Sequence, residues 1–163
     1  MWFKGMTLVA SAVVLGACGG GEKAPEAAAP AAAPAAAPAA AAAGTAAPIT
    51  GAMHEVKMVG DAKGYRFEPA NITAKAGDGI KFIMESGGPH NVAFVVTAIP
   101  AESRAQLDAN FGTDKMGELS SGLKMNPGES ITISLGGLVA GKYEFNCTPH
   151  LAMNMKGVLT IAP

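Results

Sequence analysis

The sequence is poor in charge, cysteine, histidine and long apolar runs, and each shortage removes a class of function. Charged residues make up 15% of 163 residues, and the formal net charge is -1. Such a chain carries no basic field for nucleic acid or for an anionic membrane surface. Its partners must be recognised by local shape and local patches. The leading apolar stretch, Met6 to Ala17, is shorter than the ~20 residues that a stable membrane-spanning helix needs. There are two cysteines and three histidines. Iron–sulfur clusters need more thiols, and no C-x-x-C-H run offers covalent haem attachment.

What is present begins with a targeting pattern. Lys4 supplies a positive start, the apolar stretch follows, and "LGAC" (Leu15 to Cys18) ends it. That ending resembles the lipobox of bacterial lipoproteins. The resemblance implies cleavage before Cys18 and a lipid on its thiol, so residues 1–17 read as a lipoprotein signal peptide. Cys147 is then the one thiol left, and no intrachain disulfide can form in a compartment where cysteines usually pair. A lone thiol there calls for another explanation.

Residues 18–52 read as the lipidated cysteine followed by a disordered tether. Pro30, Pro34 and Pro38 recur at every fourth position of an alanine-rich stretch. Each removes a helical N–H at ~3 kcal/mol, so helix is excluded and extended chain is expected. The stretch has no apolar face to bury. Its expected role is to hold a domain away from a lipid anchor. The protein is thus expected to be exported, with its domain facing the periplasm or the cell exterior.

Residues 53–163 read as an all-β domain. "GIKFIM", "SITISL" and "GKYEFNC" alternate apolar and polar positions, the period of half-buried strands. Turn signals separate them at Lys75–Asp78, Gly87–Pro89, Asn126–Glu129 and Leu138–Lys142. This spacing predicts a sandwich or barrel with two packed sheets. Residues 100–112 predict one short surface helix, with Pro100 at its start and Gly112 after its end.

The alternation also places chemistry. Cys147 shares a face with Tyr143 and Phe145 and should point inward. His90 opens "HNVAFVV" on the face of Val92 and Phe94. If these two strands are antiparallel neighbours, His90 and Cys147 meet at one end of the sandwich. His150 and two methionines, Met153 and Met155, lie on the chain leaving Cys147. His54 has no such company and reads as a surface residue. A buried cysteine, a lone histidine or a methionine is each ordinarily structural. Together, one thiolate, two imidazoles and a thioether form the donor set of a blue-copper site. Zinc prefers four strong ligands, and methionine is a poor fourth.

These residues resemble the cupredoxins, in particular the plastocyanin-like and pseudoazurin-like small blue copper proteins. The resemblance runs through "YRFEPANITAKAGDGIKF", "GGPHNVAF", "NPGESITISL", "GKYEFNCTPH" and "MKGVLTI". Spacing alone leaves the axial methionine open, because C-x2-H-x4-M points to Met155 and C-x2-H-x2-M to Met153. The family's closing strand begins at the ligand methionine as M-x-G-x-[VL]-T-[VI], and "MKGVLTI" reproduces this from Met155.

The resemblance therefore implies a two-sheet Greek-key β-sandwich and one type 1 copper ion on His90, Cys147, His150 and Met155. It implies that Asn91 braces the copper loop, and that Pro149, lacking an N–H, donates no hydrogen bond to the sulfur. The implied role is one-electron transfer between redox proteins, as a monomer, with no catalysis, small-molecule substrate or nucleic acid. Membrane contact is expected through the lipid anchor alone. Pro149, Leu151, Ala152 and Met153 are expected to form an apolar docking patch around a solvent-reaching edge of His150. Plant plastocyanins carry Tyr before the ligand cysteine and an acidic patch. Here Asn146 stands between Glu144 and the cysteine without clustered acids, which argues against docking on that flank. Three other readings remain. A copper-delivery lipoprotein would not need a rigid two-histidine set. A cysteine enzyme would leave the methionine without a role. A structural lipoprotein leaves residues 147–155 unexplained.

Overall fold

The computed structural model describes residues 44–163. The signal peptide, Cys18 and the tether up to residue 43 lie outside the described residues.

Ten strands form two packed sheets. One sheet holds β2 (Gly64–Glu68), β1 (Met53–Asp61), β4 (Gly79–Met84) and β8 (Ser130–Ser134), in that order. The other holds β3 (Asn71–Lys75), β10 (Lys156–Ala162), β9 (Gly141–Asn146), β5 (Ala93–Phe94), β7 (Ser120–Ser121) and β6 (Lys115–Gly117). The chain crosses between the sheets in the Greek-key manner expected. Period-two alternation is the cause. Ile80, Phe82 and Met84 of β4 face Tyr143 and Phe145 of β9 across the core, and all are buried. Phe67, Phe82 and Phe145 meet edge-to-face at ring centroids 4.9–6.0 Å apart. Such pairs contribute about 0.5–1.5 kcal/mol each beyond their burial.

The expected helix is α1 (Ala101–Ala109), with Pro100 at its N-cap. Its inner face is pinned rather than merely apposed. Ser103 Oγ and the Tyr143 hydroxyl lie 2.7 Å apart, and that hydroxyl donates to Val139 O at 2.7 Å. The strand expected from His90 is shorter than its pattern suggests. Only Ala93 and Phe94 join the ladder, because a 3-10 turn over Val96–Ala98 takes the chain into α1. Among the described residues no helix is long and apolar enough to cross a membrane.

Register defines two poles. β1 and β4 run parallel from Met53 opposite Gly79 to Met58 opposite Met84. At ~3.3 Å per residue this separates the poles by roughly 17 Å. At the first pole, Thr50 and Gly51 both donate to Gly77 O at 2.9 Å. Ile49 packs over Gly79, where a Cβ would come within 2.7 Å of its Cδ1. The chain is therefore tied to the fold a few residues ahead of β1. Asp78 completes the clasp. Its carboxylate accepts from Ala52 N–H (2.8 Å), Lys75 N–H (2.9 Å) and His54 Nε2 (2.9 Å). His54 is thus half-buried in a partnership with Asp78, not the free surface residue that its isolation in the sequence suggests. These bonds hold the Asp78 carboxyl down at about 2, with the His54 contact contributing most.

Candidate metal centre

The second pole gathers the chemistry. β5 and β9 are antiparallel, with Phe94 opposite Phe145. This register puts His90, four residues before Phe94, beside Cys147, two residues after Phe145. The two strand ends meet as the alternation requires. The donor atoms of His90, Cys147 and His150 all lie within 4.8 Å of one another. His90 Nδ1 is 3.5 Å and His150 Nδ1 is 3.4 Å from Cys147 Sγ. His90 and Cys147 are fully buried, and His150 is 6% exposed.

Neighbours fix each ring. His90 Nε2 donates to Ser86 O at 2.8 Å, which leaves Nδ1 unprotonated and free to ligate. The same carbonyl accepts Gly60 N–H at 2.8 Å, so β1 holds the acceptor still. Two backbone bonds between His90 and Lys124 fix the main chain. His150 is held by a residue that sequence reasoning missed. Tyr65, the second residue of β2, stacks on it with ring centroids 3.7 Å apart and an interplanar angle of 13°. Glycine makes room for that ring, because a Cβ at Gly60 would come within 2.6 Å of Tyr65 Cε1. The stack also corrects an expectation. The far edge of His150 is expected to reach solvent through the loop; Tyr65 covers one face of the ring, and the residue is only 6% exposed. The one available signal was an aromatic residue in "YRFEP", and nothing in a sequence pattern aims it at a histidine 85 positions away.

Residues 147–155 form a closed turn. Thr148–Met153 is a 3-10 segment, and Asn154 takes a left-handed φ of 62°, which asparagine tolerates. Cys147 N–H donates to Met155 O at 3.1 Å, and Met155 N–H to His150 O at 3.2 Å. Met155 is fully buried and Met153 is 55% exposed. Pro149 and Ala152 are exposed, as is Leu151 at 45%. Asn91, fully buried, bridges to the turn. Its Oδ1 accepts Thr148 N–H at 2.7 Å, and its Nδ2 donates to Thr148 Oγ1 at 3.2 Å.

Electrostatics suits a cation. Burial lowers the pKa of both imidazoles, and the proximity of His90 lowers that of His150 further. Burial pushes the Cys147 thiol up, opposed by the backbone N–H groups of Asn91 and His150. The site therefore offers two neutral imidazole nitrogens and a desolvated sulfur. A soft thiolate with two imidazoles fits copper, and the buried thioether of Met155 adds a weak soft donor on the same turn. The donor set and the group agree.

Comparison with known proteins bears on the same residues. A family model described as copper binding proteins, plastocyanin/azurin family, matches residues 54–162. The chain is 33% identical over 115 residues to a plastocyanin of Prochlorothrix hollandica, covering 71% of this chain and 77% of that one. It is 36% identical over 107 residues to a chloroplastic plastocyanin of Physcomitrium patens, covering 66% of this chain and 56% of that one. A solved mutant plastocyanin of fern superposes with a TM-score of 0.48 at 33% identity, covering 66% of this chain and 99% of that chain.

Proposed function

The chain belongs to the plastocyanin/azurin family of copper binding proteins, and from that premise we propose that its domain is a one-electron carrier. His90 Nδ1, Cys147 Sγ, His150 Nδ1 and the Met155 thioether hold a single copper ion. The observation that carries this reading is the convergence of three buried donor atoms within 4.8 Å. Copper supplies one electron, accepted and released between its two common oxidation states. The residues supply everything else. Ser86 and Tyr65 keep the imidazoles in place. Asn91 keeps the turn in place. The packed sheets exclude water, so little must reorganise when the charge changes. The assignment of Met155 over Met153 is supported by its burial and by its two backbone bonds across the turn.

Docking is assigned to the pole itself. Pro149, Leu151, Ala152 and Met153 are exposed and uncharged. Nearby charges are mostly spent on each other. Lys57 pairs with Glu85, and Lys124 with Asp114. A small apolar face of this kind suits weak, transient redox encounters. Beside it lies an open groove of about 740 Å³ bordered by Val95, Glu144, Asn146, Leu151 and Lys156. One carboxylate and one ammonium leave that flank without net charge. Lipidation at Cys18, tethering to a membrane and a periplasmic or extracellular setting complete the proposal. A delivery protein that hands copper on is the weaker reading, because a site braced by Ser86, Tyr65 and Asn91 favours retention.

The test is optical. The full chain titrated with Cu(II) should take up one equivalent and develop an intense orange-red thiolate-to-copper band. Protein that stays colourless, or that binds zinc as well as copper, overturns the reading.

A further inference from the structure

The Asn91 carboxamide is oriented without ambiguity. Thr148 N–H can only donate, and it reaches Oδ1 at 2.7 Å, so the other end of the amide is Nδ2. That nitrogen has two hydrogens and four acceptors in reach. They are Ser120 Oγ at 3.2 Å, Thr148 Oγ1 at 3.2 Å, Ser121 O at 3.5 Å and Met116 Sδ at 3.9 Å. A thioether is a weak acceptor. While Met116 is reduced, the hydroxyls and the carbonyl win, and Asn91 holds the 147–155 turn.

Met116 itself is open to solvent. It lies on β6, whose three residues are all exposed, and is 56% exposed. Met125 and Met153 are as accessible, at 58% and 55%. Among these three, only Met116 has its sulfur against a side chain that braces the proposed metal turn.

We propose that Met116 is an oxidative modification site that acts on the copper loop through Asn91. A peroxide is the oxidant. The sulfur lone pair attacks one peroxide oxygen, the O–O bond breaks and an S–O bond forms. With hydrogen peroxide, sulfur loses two electrons, and the other oxygen leaves as hydroxide and takes up the proton of the transferred oxygen to become water. The sulfoxide oxygen is a much stronger acceptor than the thioether sulfur, which already lies 3.9 Å from Nδ2. It captures an Asn91 N–H, draws the carboxamide toward β6 and weakens the Thr148 bridge. Methionine sulfoxide is enzymatically reversible, so the change can act as a switch. The consequence for copper rests on the function proposed above; the hydrogen-bond exchange does not.

The experiment separates the two. The full chain is treated with hydrogen peroxide before copper is added. Cys147 is fully buried, so it reacts slowly and the exposed methionines react first. Peptide mass mapping locates the added oxygen, and NMR follows the Asn91 side-chain amide and the exchange of Thr148 N–H. Thr148 exchange should rise about fivefold, the factor matching one hydrogen bond at ~1 kcal/mol. Met116→Gln, which places a carbonyl oxygen at similar reach, should do the same without peroxide. Met116→Leu should show no change on peroxide treatment. Copper is then added, and the thiolate band should shift in the oxidised wild type and in Met116→Gln but not in untreated wild type. Full oxidation at Met116 with unmoved Asn91 and Thr148 signals overturns the proposal. An equal response of wild type and Met116→Leu overturns it too. If the bridge responds but untreated protein never colours, the switch stands and the copper reading falls.

Discussion

The two poles of the sandwich solve opposite problems with similar parts. Each uses a histidine, a buried polar partner and a turn sealed by backbone hydrogen bonds. At the clasp, His54 and Asp78 satisfy each other, and Ala52 and Lys75 complete the carboxylate. At the other pole, Ser86, Tyr65 and Asn91 hold their residues from behind and leave His90 Nδ1, His150 Nδ1 and Cys147 Sγ aimed at a shared point. One pole is finished by the protein alone. The other is finished only by a cation. The histidines of the two poles therefore differ in burial, the His54 side chain being 32% exposed and His90 fully buried, and in what the second ring nitrogen faces, since His90 Nδ1 lies 3.5 Å from the Cys147 sulfur.

The sharpest way to break this comparison is to damage each pole separately. Cys147→Ser should remove the orange-red band completely while leaving the melting temperature of the metal-free protein within a few degrees. Asp78→Asn should do the reverse, with the band unchanged and the melting temperature several degrees lower. The pH dependence gives the sign. The Asp78 carboxyl lies at about 2 in the fold against an ordinary 3.8. A depressed carboxyl stabilises the fold above the ordinary value, and that stability is lost as pH falls from about 4 toward 2. Acid melts of wild type should steepen in that window, and those of Asp78→Asn should not. Loss of colour in Asp78→Asn would show that the poles are one unit after all.

How much of this was legible follows the same division. The alternation of β4, β8 and β9 and the donor types at 90, 147, 150 and 155 are local properties. Period two sets which face a side chain takes, and donor softness sets the metal. The clasp was not legible, because "APITGA" shares the composition of the tether, and only the meeting of residues 50–52 with 77–78 gives it structure. His54 looked solitary because its partner lies 24 positions away. Tyr65 was missed for the same reason. Its β2 ladder says which strand it pairs with, not which ring it covers.

A second prediction sharpens the ligand pole from within. Met155→Leu should raise the reduction potential, because loss of a weak axial donor disfavours Cu(II). Each tenfold change in that preference is worth ~59 mV for one electron. Met153→Leu should leave the potential where it was, since Met153 points to solvent. Voltammetry of the two variants decides which thioether the copper uses. A shift in Met153→Leu alone would assign the shorter loop.

The smallest effect concerns the rim rather than either pole's interior. Leu151 is 45% exposed on the turn and offers no donor atom of its own, so a change there should spare both spectrum and potential. Leu151→Lys puts an ammonium in the middle of the uncharged face and should slow electron exchange with a redox partner several-fold. Glu144→Lys, on the flank beyond the groove, should slow it less, because that carboxylate belongs to no acidic cluster. The same logic predicts a weak salt dependence of the wild-type rate, since Pro149, Leu151, Ala152 and Met153 carry no charge for salt to screen. Stopped-flow rates for the two variants decide between the routes. A slow Glu144→Lys beside an unaffected Leu151→Lys would move the exit from the His150 and Tyr65 rings to the groove along Asn146. The backbone of Cys147 would then be the shorter path out.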